Sequence, residues 1–300
     1  MLAHTSHPES HNTVARPRYL AAALAIALSS LAATVQAQSA TSAEACPQPA
    51  TILQNAYPAA KLDPDQGKPA GYLLGDHKLM LPQSTPGSVP FMFCKVWPAH
   101  DQLLLVGVPR MAVSAELDMD REGDLDILVL DRATLKVKQR TTVDHAMTDD
   151  AIRLEQMEFD TARYVLAPGI QAFGLRASYS GSSRPNPFNE VTLRLFAMRN
   201  GDSGPLRIVL DGASVSRMNG EWDTNCKGEF TKSKTVLSMT SKVSNGFFDI
   251  RATKNSEDST TQLVPAGSDC NESIVKKERT QHTLVFDGQR YVIPDAVKAL

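Results

Sequence analysis

The chain has 300 residues, with 31 basic and 33 acidic side chains and a formal charge of −2 at pH 7. That balance gives no electrostatic footprint for nucleic acid or for an anionic membrane surface as a partner. The length allows one large β-rich core or two smaller ones.

Arg16 and Arg18 precede an uncharged, Ala/Leu-rich run from Tyr19 to Ala33, and Val35-Gln36-Ala37 places small residues where a signal peptidase needs them. The pattern predicts a signal peptide over 1–37, cleaved near Ala37, and hence a periplasmic or secreted protein. The run of about 15 residues is short of the roughly 20 that a spanning helix needs. An uncleaved anchor is the alternative, and no membrane span is expected in the mature chain. Removing residues 1–37 takes away Arg16, Arg18 and Glu9 and leaves a formal charge of −3.

Four cysteines behind such a segment, Cys46, Cys94, Cys226 and Cys270, predict two disulfides. Three pairings are possible. Cys46–Cys94 and Cys226–Cys270 are favoured because each joins neighbours in the chain. No Cys-x-x-Cys pair is present, which argues against zinc.

Nine of the 18 prolines lie between Pro47 and Pro98. Proline removes ladder donors, so residues 38–98 read as a Pro-rich strap or small lobe. A short hairpin is legible at Tyr72-Leu73-Leu74, Gly75-Asp76 and His77 to Leu81. The rest, 99–300, reads as an antiparallel β body, either one unit or two subdomains at 99–200 and 201–300. Leu103 to Val108 is a continuous apolar run fit for a strand buried on both faces. Met111 to Val143 reads as a meander of three strands by its period-2 alternation.

Residues 148–159 suit a capped helix or a strand, and the β surroundings favour the strand. Further strands are expected near 171–180, 191–199, 206–211, 231–240, 246–253, 282–287 and 290–293. Asn200-Gly201, Asn219-Gly220 and Asn245-Gly246 each suit a hairpin turn. The fold class is therefore all-β, a sandwich or barrel-like body. Leu128 to Val137 resembles one propeller hairpin, but no copy recurs at a fixed spacing.

Three sets of residues could carry chemistry. Asp118-Met119-Asp120-Arg121-Glu122-Gly123-Asp124-Leu125-Asp126 resembles the calcium loops of integrin-type propeller repeats. That resemblance implies calcium on Asp118, Asp120, Glu122 and Asp126. The competing reading is a hairpin that sets Asp120 opposite Asp124 and Asp118 opposite Asp126. Such like-charge pairs would be offset by Lys136, Lys138 and Arg140 on a mixed-charge solvent face. Gly201-Asp202-Ser203-Gly204-Pro205-Leu206 resembles the nucleophile motif of chymotrypsin-like serine proteases, and His100 precedes it as in that family. The resemblance implies Ser203 as nucleophile and His100 as general base. The chain has one glycine where the family has two between serine and proline. Lastly, the long polar loop from Ser180 to Asn189 offers Arg184 for an anion, with Tyr179 and Phe188 to stack on a sugar.

The reading that follows is a non-enzymatic binding or envelope-interaction protein without a cofactor, its partner an envelope protein or a carbohydrate. The alternatives are a secreted serine hydrolase and a calcium-stabilised β-domain.

Overall fold

Pro49 sits in the first turn of an eight-residue helix, α1 (Pro49–Ala56), where no backbone N–H is needed. The computed structural model of the protein describes residues 46–64, 70–82, 89–113, 122–148, 150–199, 204–264 and 269–300. The segment 1–37, Asp118, Asp120, Ser203 and the Asn200-Gly201 turn lie outside the described residues. After α1 come β1 (Lys61–Leu62), β2 (Gly71–Leu74), β3 (His77–Met80), β4 (Phe93–Trp97), β5 (His100–Ala112), β6 (Gly123–Asp131) and β7 (Val137–Met147). They form one antiparallel sheet in the order β1-β2-β3-β5-β6-β7, with β4 also paired to β5.

The region expected to be a strap therefore supplies, over its described residues, a helix and four strands of this sheet. Its prolines explain why: Pro58, Pro64, Pro90 and Pro98 fall in turns, where no ladder donor is lost. The expected hairpin at 72–81 is present as β2 and β3. Cys46 is bonded to Cys94 on β4, which ties the entry to α1 onto the sheet.

Leu103 to Val108 is buried throughout. Leu103 and Leu105 face one core, while Leu104, Val106 and Val108 face another beneath α1, with Ile52, Leu53 and Tyr57. Full burial of each such side chain contributes about 1.5–3 kcal/mol before entropy is subtracted. Gly107 is required here, because a Cβ would fall inside the ring of Phe93 on the neighbouring strand.

The acidic hairpin differs from the expectation. β5 ends at Ala112, so Asp126 is opposite Val108 and Asp124 is opposite Arg110. Asp126 has no exposed surface. One of its oxygens accepts from Tyr57 Oη at 2.6 Å and Arg140 Nη2 at 3.0 Å; the other accepts from Thr142 Oγ1 at 2.7 Å and Arg110 Nη1 at 3.4 Å. The Arg140 guanidinium also lies 4.9 Å above the Tyr57 ring and donates to the Ala56 carbonyl at 3.3 Å. The face expected to be solvent is thus roofed by the end of α1. Arg140 does sit beside Asp126, diagonally, since its direct partner is Leu128.

The second sheet has eight strands in the order β15-β14-β13-β12-β11-β10-β9-β8. These are β8 (Ile152–Ala167), β9 (Ile170–Gly181), β10 (Phe188–Arg199), β11 (Arg207–Trp222), β12 (Gly228–Ser244), β13 (Phe247–Leu263), β14 (Cys270–Phe286) and β15 (Tyr291–Val292). The ambiguous segment near 152–159 is strand. The sheets divide between Met147 and Ile152, and Thr41–Leu300 forms one compact unit.

β8 to β10 are a middle layer. Phe159, Phe173, Leu175 and Phe196 pack with the first sheet, and ring contacts run Phe93–Phe159 at 4.9 Å, Trp97–Phe173 at 5.2 Å and Phe173–Phe196 at 5.3 Å. On the opposite side Leu166, Leu193 and Leu195 pack with Leu210, Ile250, Leu284 and Tyr291. The result is a layered antiparallel β structure, consistent with a sandwich and not a closed barrel.

Two buried carboxylates invite opposite expectations. Asp126→Ala should lower stability by about 3–5 kcal/mol, because two guanidinium groups would lose their buried partner. Tyr57→Phe should cost about 1.5–3 kcal/mol for one bond to a charged group. Asp249 is equally buried, yet neither of its oxygens has a hydrogen-bond partner among the described residues, and Lys242 Nζ stands 3.6 Å away. Burial first, and then this carboxylate, pushes the Tyr291 hydroxyl pKa upward. Asp249→Leu should leave stability unchanged or raise it by about 1–3 kcal/mol. Urea unfolding of the variants checks these expectations; a large loss for Asp249→Leu, or none for Asp126→Ala, contradicts them.

Candidate binding surface

Beyond Ala252 on β13 and Leu284 on β14 no further residue of these two strands joins the hydrophobic core. Both nevertheless continue as a ladder, from Thr253 opposite Gln281 to Leu263 opposite Cys270, with one bulge at Val275 between the Asp258–Lys276 and Ser259–Ile274 pairs. Eleven residues at about 3.3 Å each carry the strands some 35 Å past the core. β12 runs alongside to Gly228, and β11 joins it only from Ser216 to Trp222. Cys270 to Arg279 is exposed at every position. This extension is called the wing below.

The wing is held by local devices where a core is lacking. Cys226 and Cys270 form a disulfide that joins the β11–β12 turn to the start of β14. In that turn Asp223 accepts from the N–H groups of Asn225 at 2.9 Å and Lys227 at 3.0 Å. Phe230 lies over Gly220 and Gly228, and a Cβ at either would meet its ring at 2.5 and 2.8 Å. Asn219-Gly220 is therefore no turn. It lies inside β11, where the glycine makes room for an aromatic ring. Asn245-Gly246 is the turn expected of it, with φ of 47° and 87°.

Cross-strand partners share a face, and their neighbours along each strand point to the other. Arg217, Ser233, Ser256 and Glu278 form one row across β11 to β14. The flanking rows are Ser216–Lys234–Asn255–Arg279 and Met218–Lys232–Glu257–Lys277. These flanking rows wall a groove of 760 Å³ whose floor is the row between them. Lys277 pairs with Glu257 at 3.1 Å, and Lys232 pairs with Glu272 at 2.9 Å. The carboxyl of Glu272 is held below its usual pKa range by hydrogen bonds from Lys232 and Ser259. The opposite face carries Glu221, Glu229 and Asp258, which border two adjoining troughs nearer the disulfide. The groove face of the wing is thus rich in cations, and the opposite face gathers carboxylates near the disulfide, with Arg217 and Lys276 also on that side.

The loop singled out from the sequence reaches this region, although through other residues. Its carbonyls at Pro185 and Pro187 accept from Trp222 N at 2.7 Å and Gly220 N at 3.1 Å, which sets Asn186 at the edge of the acidic troughs. Arg184 is exposed and makes no ion pair among the described residues. Phe188 is half-buried against Gly181. Tyr179 is packed on the core between the sheets, and burial raises its hydroxyl pKa while Thr192 hydrogen-bonds to it. Both side chains keep part of their surface exposed.

His100 begins β5. Its Nε2 is 3.0 Å from Gln171 Oε1 and its ring packs edge-on to Trp97 at 4.5 Å. No carboxylate orients it among the described residues. Glu122 makes no ion pair among them either, and the Asp126 oxygens are taken by protein donors, two of them cationic.

No protein family matches the sequence, and no match was found among curated proteins or solved structures. The fold and its surfaces stand on their own geometry: an all-antiparallel, layered β protein with two disulfides and a two-faced wing. Among the described residues no helix is long and apolar enough to cross a membrane.

The Cys226–Cys270 bridge should matter locally. With both cysteines changed to serine, amide exchange should accelerate at 228–234 and 270–280, while β5 and β6 keep their protection. Uniform acceleration through the core would contradict this, as would no change in the wing.

Proposed function

We propose that this chain is an exported, non-enzymatic β-protein that binds a component of the cell envelope, a protein or a carbohydrate, through the wing. Two disulfides fit an oxidising, non-cytoplasmic compartment, and the N-terminal sequence pattern agrees with export to the periplasm or beyond. One observation carries the binding role. A long ladder extends past the core with both faces wet, adds little to burial, and is fastened by its own disulfide. Extended two-sided strands expose backbone and side chains that a purely structural element would cover. The engagement of His100 by Gln171 and Trp97, with no orienting carboxylate among the described residues, supports binding over general-base hydrolysis.

Site-specific photo-crosslinking in cells tests this. A photoreactive residue at Glu229 or Lys234 should give adducts with envelope material, and the same residue at Arg163 on β8 should give none. Adducts confined to Arg163, or none from either wing position, would sink the reading.

A further inference from the structure

The basic face of the wing supports a more specific conclusion, which rests on the binding role just given. We propose that the groove across β11 to β14 holds an acidic polysaccharide, a glycan strand bearing carboxylates and lying across the sheet at right angles to the strands.

Charge is the first argument. The walls carry Lys232, Lys234, Lys277 and Arg279 against Glu257, and the floor adds Arg217 and Glu278, which leaves the lining with more cations than carboxylates. The chain as a whole has a formal charge of −2, so this face runs against the protein's own balance. Lys232 and Lys277 are already paired with Glu272 and Glu257. Lys234 and Arg279 have no carboxylate within ion-pair distance among the described residues. They stand in one wall, two strands and so about 10 Å apart, with Asn255 between them. Two unpaired cations in one row repel each other, and an anion laid along the wall relieves both.

Shape and composition then choose among anionic partners. The groove crosses the strands, so a peptide lying in it cannot join the ladder as an added strand. Protein partners are gripped by buried aromatic and apolar anchors, and the walls offer only Met218. Asn255 lies between these cations and Ser216 beside Lys234 at the end of the row, an amide and a hydroxyl that suit sugar hydroxyl groups. The acidic far side of the wing, with Glu221, Glu229 and Asp258, would repel the same ligand. One face alone is thus fit for it.

Calorimetric titration of the full exported chain with polygalacturonate, dextran and poly-glutamate tests the assignment. The wild type should bind polygalacturonate, more weakly as salt rises and screening shortens, and should not bind dextran. K234E/R279E should weaken binding by about tenfold or more, K234Q/R279Q should weaken it less, and Arg163→Glu should leave it unchanged. Among the described residues Lys234 and Arg279 make no ion pair, so the melting curve of either double variant should match the wild type. If charge reversal alone disturbs the fold, the glutamine pair decides. No binding to polygalacturonate by the wild type overturns the proposal. So does equal binding to poly-glutamate, or binding that both double variants retain. Any of these results with wing crosslinks intact removes the glycan and leaves the binding role standing; loss of the crosslinks as well removes both.

Discussion

A carboxylate without exposed surface can keep its charge only if donors surround it. Asp126 is surrounded by four, drawn from three parts of the chain: Tyr57 just after α1, Arg110 on β5, and Arg140 and Thr142 on β7. That set fixes where the helix sits on the first sheet and in what register β5, β6 and β7 meet. Slipping β6 by one residue would turn Asp126 into the core shared with the second sheet, away from every donor. The disulfide from Cys46 to Cys94 constrains the same roof from its other end. Register and roof are therefore decided together, and the middle layer can then pack its phenylalanines on the opposite side.

The second sheet shows the complementary case. β8 to β10 contribute side chains to the cores on both of their sides, whereas the distal parts of β12 to β14 contribute to neither. Between these extremes β11 meets β12 only from Ser216 onward, and residues 296–299 pack where the two strands part. Ala299 N donates to the Gly212 carbonyl at 2.8 Å, Arg217 donates to the Lys298 carbonyl at 2.8 Å, and Lys254 to that of Ala296 at 2.8 Å. Arg217 also pairs with the buried Glu190. The point where the wing leaves the body is thus a polar seam with satisfied partners.

Most of the strands were legible because alternation survives wherever one face is wet, as at Phe173, Leu175 and Ala177. The neighbour pairing of the cysteines was legible as well. What escaped has identifiable reasons. Leu125 to Leu130 was read as alternating, but it is a run buried on both faces, and Leu128 and Leu130 point to the side of Asp126. A helix of eight residues among prolines is too short for periodicity to show. The wing strands were predicted too short because their polar, Ser/Thr/Lys-rich distal halves lack any apolar period, though β-branched residues and a distant disulfide partner were there to see. Asn219-Gly220 misled because a glycine beside an aromatic neighbour and a glycine in a turn look alike in sequence. The basic groove had no linear signal at all: its four cations come from two strands and meet only through register.

Because the wing contributes so little to the core, its surface can vary without threatening the fold. Substitutions at exposed positions away from caps and buried networks usually change stability by less than about 0.5 kcal/mol. Lys232, Lys234, Lys277 and Arg279 occupy such positions, while the ladder and the Cys226–Cys270 bridge preserve their spacing whatever side chains they bear. The architecture separates the part of the sequence that must stay constant from the part that is free to drift. Related chains could exchange one charge pattern for another on this same lattice, and so change what they hold, while Asp126 and its donors remain untouched.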